Sequence, residues 1–95
     1  MPTFVALLSV ELHLPDALSL KDKRMTLRSV KDRLRKLNVS VAEVGHHDVW
    51  QRAAIGVVTV GNARAHVDQV LAAALEEIEQ TIPGHVTSVF TEMLT

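Results

Sequence analysis

Ninety-five residues suffice for one domain and not for two, and such a chain buries about 60–65% of its unfolded surface, enough for one modest core. An apolar fraction of 47% with a formal net charge of −1 points away from intrinsic disorder and from a uniformly basic nucleic-acid binder. The absence of cysteine excludes disulfides, thiolate catalysis and cysteine-ligated zinc together, and accords with a reducing compartment, so a cytoplasmic location is expected.

Met1-Pro2-Thr3-Phe4 lacks the basic start of a signal peptide, and Ser9, Glu11 and His13 interrupt the apolar stretch behind it, so no membrane segment is expected. From Phe4 to Leu14 the residues Phe4, Ala6, Leu8, Val10, Leu12 and Leu14 recur at period two, which predicts a first strand. Pro15-Asp16 breaks it. Ser19, with Asp22 three positions on, then forms a capping-box-like helix start. The apolar stripe Leu20, Leu27, Val30, Leu34 and Leu37, with Met25 at its margin, runs through this helix to a stop at Asn38.

Val39–Val44, ending at Gly45, and Arg52–Val60 are β-rich runs that predict a hairpin. Gly61-Asn62 supplies a turn and an N-cap, after which Val67, Val70, Leu71, Ala74, Ile78 and Ile82 stripe a second helix that Pro83-Gly84 ends. His85–Leu94, with Val86, Val89, Phe90 and Met93, predicts the last strand. The order β-α-β-β-α-β, closed with right-handed crossovers, gives an α+β, ferredoxin-like domain spanning residues 1–95: a four-stranded antiparallel sheet with two helices on one face.

Three stretches carry a family resemblance: Ser19-Leu20-Lys21-Asp22-Lys23-Arg24, Asn38-Val39-Ser40-Val41-Ala42-Glu43, and His47-Asp48-Val49-Trp50-Gln51-Arg52-Ala53 leading to Ile55-Gly56. In these motifs, and in length and order, the chain resembles the YlxP-like family, domain of unknown function 503. The resemblance implies a bacterial cytosolic protein, often encoded beside translation initiation factor two and ribosome-binding factor A, with a part in ribosome or RNA biology. It implies no established catalytic residues, and no cofactor is expected.

Between Lys21 and Lys36 eight basic residues stand against two acidic ones, a net of +6, which leaves −7 for the rest of a nearly neutral chain. Lys21, Arg24, Arg28, Lys31 and Arg35 follow at steps of three and four along one helix side, with Lys23 beside them. Such a stripe can follow a phosphate backbone by displacing its counterions, the arginines gripping phosphates bidentately. The competing reading is a solvated face that keeps the protein soluble. Asp68, Glu76, Glu77 and Glu79 on the second helix limit the basic surface, or offer an acidic face to a second copy.

The base-stacking platform of an RNA-recognition motif is not expected, because Arg52–Val60 contains no aromatic residue. Nor does Leu14-Pro15-Asp16-Ala17 resemble the glycine-rich, arginine-bearing loop that follows the first strand of acylphosphatases. The hairpin around His47, Asp48, Trp50, Gln51 and Arg52 is the second candidate contact. Adjacent His46 and His47 point apart on an extended segment, so Glu43 with His47 or His46 with Asp48, joined by Glu11 or His13, would be the better-placed groups. With no third ligand or nucleophile identifiable, no metal and no catalytic site is assigned. Asp48 is expected to cap the turn, and Trp50 to cover the end of the core.

The leading expectation is therefore a non-enzymatic module that binds RNA or a ribosomal subunit through the first helix. The alternative is a homodimerising or protein-interaction domain using an open sheet face or edge strand, for which Val5, Leu7, Val39 and Val41 supply apolar surface. An enzyme is the weakest of the three.

Overall fold

The computed structural model describes all residues, 1–95, and gives β1 (Phe4–His13), α1 (Leu20–Leu34), β2 (Ser40–Gly45), β3 (Arg52–Gly61), α2 (Arg64–Thr81) and β4 (Val86–Met93). The four strands form one antiparallel sheet in the order β2-β3-β1-β4, as the ferredoxin-like arrangement requires. β1 and β3 run side by side for their whole lengths, from Phe4 opposite Gly61 to His13 opposite Arg52. Period two then fixes the faces: Ala6, Leu8, Val10 and Leu12 on β1 and Ala53, Ile55, Val57 and Thr59 on β3 turn toward the helices and are buried.

Each helix contributes one apolar line to that layer, Leu27, Val30 and Leu34 from α1 and Val67, Leu71, Ala74 and Ile78 from α2. Leu14, Ala17 and Ile82 close one end of the core. β2 and β4 are the sheet's edges and carry no fully buried residue.

The α1 start matches its sequence signal. The Ser19 hydroxyl accepts the Asp22 N–H at 3.0 Å, and the Asp22 carboxylate accepts the Leu18 N–H at 3.0 Å. The α2 start does not: its N-cap is Ala63, which offers no side-chain acceptor, so Asn62 lies one residue too early to cap. Nor does Asn38 end α1, whose last residue is Leu34 with Arg35 as C-cap. Asn38 instead pins the entry to β2, its carbonyl accepting from the buried Thr59 hydroxyl at 2.6 Å and its amide donating to the Val60 carbonyl at 3.2 Å. Of the four apolar residues offered as surface, Val5 and Leu7 lie on the open side of the sheet, whereas Val39 and Val41 pack against the core margin under α1.

Candidate nucleic-acid interface

The buried line of α1 is Lys23, Leu27, Val30 and Leu34, and Arg24, Arg28, Lys31 and Arg35 each follow one member of it. One residue is about 100° of helix turn, so these four cations form their own line on the flank of α1. That flank overhangs the outermost strand. Arg24, Arg28, Lys31 and Arg35 line a groove of about 300 Å³ with Leu27, Asp32 and Glu43, and Lys31 and Arg35 line its continuation, about 210 Å³, with Leu34, Val39 and Val41. The larger part is polar apart from Leu27, the continuation has Leu34, Val39 and Val41 as an apolar floor, one wall is basic, and the opposite lip is β2, which carries Glu43, pairs only with β3 and keeps a free edge.

The rest of the helix charge is used differently. On the α2 side Arg33 and Lys36 both bind Glu77, at 3.1 and 2.6 Å. Hydrogen bonding from the Lys36 ammonium, then from the Arg33 guanidinium, holds the Glu77 carboxyl below the usual range. Arg35 makes an exposed contact with Asp32 at 3.3 Å. Lys21, Arg24, Arg28 and Lys31 enter no ion pair.

Lys23 corrects the sequence reading. It is only 2% exposed and cannot reach a phosphate. Its ammonium contacts the Glu43 carboxylate at 2.7 Å and donates to the backbone carbonyls of His46 and of Val49, the latter at 2.8 Å. Two of its N–H groups thus meet carbonyl acceptors, and the buried Glu43 Oε2, which accepts no hydrogen bond, has that ammonium as its counter-charge. The signal was present in the helical spacing, since position 23 falls between Leu20 and Leu27 on the apolar line.

Through the Val49 carbonyl the Lys23 ammonium also places the hairpin loop at the Arg24 end of the groove, where Glu43 lies. Trp50 follows directly and is 49% exposed, so it does not cover the core as expected. Asp48 is exposed and accepts no turn N–H. The turn closes through Val49 N–H to the His46 carbonyl at 3.0 Å, with His46 at a φ of 60°. Gln51 donates to the Pro15 carbonyl and accepts from the Leu14 N–H, tying the loop to the end of β1.

His47 reaches the backbone carbonyl of Glu43 rather than its carboxylate. His46 meets Glu11 at 3.4 Å, and Arg52 meets the other oxygen of Glu11 at 3.2 Å. Hydrogen bonding by His46, then by Arg52, lowers the Glu11 pKa. Of the pairings an extended segment would allow, Glu43 with His47 and His46 with Asp48 do not form; Glu43 meets Lys23, and His46 meets Glu11 of the first strand. No three His, Asp or Glu side chains gather closely enough to hold a metal ion. No helix is long and apolar enough to cross a membrane.

The profile of a family described as "Protein of unknown function (DUF503)" matches residues 5–91. The "Uncharacterized protein YlxP" of Bacillus subtilis (strain 168) is 39% identical over 74 residues, which cover 70% of this chain and 80% of that protein. Among solved structures, the de novo designed protein Foldit4 matches with a TM-score of 0.61 at 10% identity, covering 98% of this chain and 97% of its own. A C-terminal segment of the alpha subunit of aIF2 from Pyrococcus abyssi matches with a TM-score of 0.55 at 20% identity, covering 99% of this chain and 51% of that one. At these identities the two structures share the fold alone.

Proposed function

The chain belongs to the DUF503 family, and from that premise we propose that it is a non-enzymatic RNA-binding module, associated with RNA or with a ribosomal subunit through the flank of α1. The observation that carries this reading is the line Arg24, Arg28, Lys31 and Arg35, set along a groove and, apart from the exposed contact of Arg35 with Asp32, free of internal partners. Successive members rise about 6.0, 4.5 and 6.0 Å along the helix, so the line spans roughly 16 Å and can meet several phosphates of one strand. A groove with one basic wall suits a single strand, and Trp50 beyond its Arg24 end offers an exposed π-face on which a base can stack. Arg52, paired with Glu11, and exposed His47 and Gln51 border that platform.

Four phosphate contacts predict that log K falls with log salt at a slope of about −3 for a single strand. The test is a salt titration of the purified protein against single-stranded and structured RNA and against ribosomal subunits. Reversing Arg24, Arg28 and Lys31 to glutamate should abolish binding while leaving the melting temperature nearly unchanged, because none of the three supports an internal contact. Undiminished binding by that variant removes the proposal.

A further inference from the structure

The larger part of the α1 groove holds a carboxylate that phosphate binding does not require. Glu43 enters it from β2, opposite the line Arg24, Arg28, Lys31 and Arg35, and no cation of that line pairs with it. Its Oε2 is enclosed against the Lys23 ammonium at 2.7 Å, which leaves Oε1 as the oxygen open to the groove, and no side chain of the protein donates to it. Asp32, the other acid of the groove, lies half-exposed on α1 itself and meets Arg35, so it belongs to the cationic wall. Lys23 also donates to the Val49 carbonyl at 2.8 Å, so one ammonium holds Glu43 and the residue before Trp50 at the same end of the groove.

We propose that Glu43 reads a base in this groove and selects cytosine over uracil at the nucleotide lodged between α1 and β2. The inference rests on the RNA reading above and specifies it. A carboxylate repels phosphate, so a strand in the groove keeps its phosphates on the α1 wall and turns a base edge toward β2. There an ionised carboxylate can only accept. Cytosine offers it the N4 amino group, the same pairing by which an acidic side chain reads cytosine in a duplex. Uracil carries a carbonyl, O4, at that ring position, whose lone pairs face the carboxylate, and its single ring N–H is flanked by O2 and O4. The two rings are alike in size and in π-face, so stacking on Trp50 does not separate them and the carboxylate does. A space of about 300 Å³ is at the small end of ligand sites and takes one pyrimidine nucleotide.

Fluorescence anisotropy with labelled oligo(rC) and oligo(rU) octamers, at neutral pH and one low salt concentration, tests it. The wild type should bind oligo(rC) at least about tenfold more tightly, the effect of one hydrogen bond to a charged group. In Glu43→Gln the Lys23 ammonium takes the amide oxygen and leaves the amide N–H groups toward the groove, donors that suit O4 of uracil. The preference should therefore vanish or invert in that variant, while both oligomers gain affinity from the loss of a negative charge. An octamer of pyrimidin-2-one nucleotides, in which hydrogen replaces the amino group of cytosine, should lose the advantage of oligo(rC) on the wild type, and this decides the matter if Glu43→Gln does not fold. Equal and salt-sensitive affinity of the wild type for oligo(rC) and oligo(rU) overturns the inference while the RNA reading stands. A cytosine preference that survives both Glu43→Gln and removal of the amino group overturns it likewise, and binding of neither octamer removes both readings.

Discussion

An ammonium group leaves water at tolerable free energy only where acceptors and an opposite charge replace its hydration shell, and Lys23 has both. The acceptors are two backbone carbonyls of the hairpin loop and the charge is the Glu43 carboxylate, so a single side chain on α1 fastens β2 and the β2–β3 turn to the helix layer. Truncating one member strands the others. Lys23→Met should cost about 3–5 kcal/mol in urea unfolding, because it leaves the Glu43 carboxylate without its counter-charge and the Val49 carbonyl without its donor, while the His46 carbonyl keeps only the Val49 N–H. Glu43→Gln should cost less, since that side chain is 21% exposed and its amide still meets the ammonium. A double-mutant cycle between the two positions should return a coupling energy well above that of an exposed pair. Trp50, the chain's one tryptophan, follows a loop carbonyl bound by Lys23, so its fluorescence should report the loosened loop in Lys23→Met before global unfolding.

Helix α1 has three sides with three duties, and only two of them were readable from its sequence. The apolar line toward the core and the cationic line toward β2 both follow from helical spacing. The third side, where Arg33 and Lys36 clasp Glu77, depends on how α1 lies against α2, and no local pattern in either helix records that approach. Its consequence is a pH dependence whose sign can be worked out. The Glu77 carboxyl titrates below its ordinary value of 4.5 in the folded chain because it accepts from Lys36 and Arg33. The unfolded chain therefore binds a proton there at a higher pH than the folded one. The stabilisation is fully present above the ordinary value and is lost as pH falls through the lowered one. Melting temperatures of wild type and Glu77→Gln should accordingly converge as pH drops below 4.5, with the wild type ahead at neutral pH. The strands were legible because their apolar period is two on a face that is fully buried, as Leu8, Val10 and Val57 show. Trp50 and Lys23 were misread for the converse reason. An aromatic residue suggests burial and a lysine suggests solvent, but the β2–β3 turn, set by tertiary contacts and the left-handed backbone of His46, exchanged those environments.

A net charge of −1 conceals two surfaces of opposite sign. Residues 21–36 carry +6 and the remainder −7, and the acids Asp68, Glu76, Glu79 and Glu92 lie on α2 and β4, across the sheet from the groove beside β2. Opposite margins of a molecule about 20 Å wide are some two Debye lengths apart at 0.1 M salt, so a charged matrix meets one surface at a time. At pH 7 and low salt the wild type should therefore be retained on a sulfated polyanion resin in spite of its net negative charge, and released as salt rises. The retaining surface is the α1 flank, and its charge can be inverted without touching the core. The variant with Arg24, Arg28 and Lys31 all changed to glutamate moves the net charge from −1 to −7, and should pass through that resin while binding an anion exchanger more tightly. An elution order unchanged by the substitution would place the anion-binding field elsewhere on the molecule, in conflict with the free cations that line the groove.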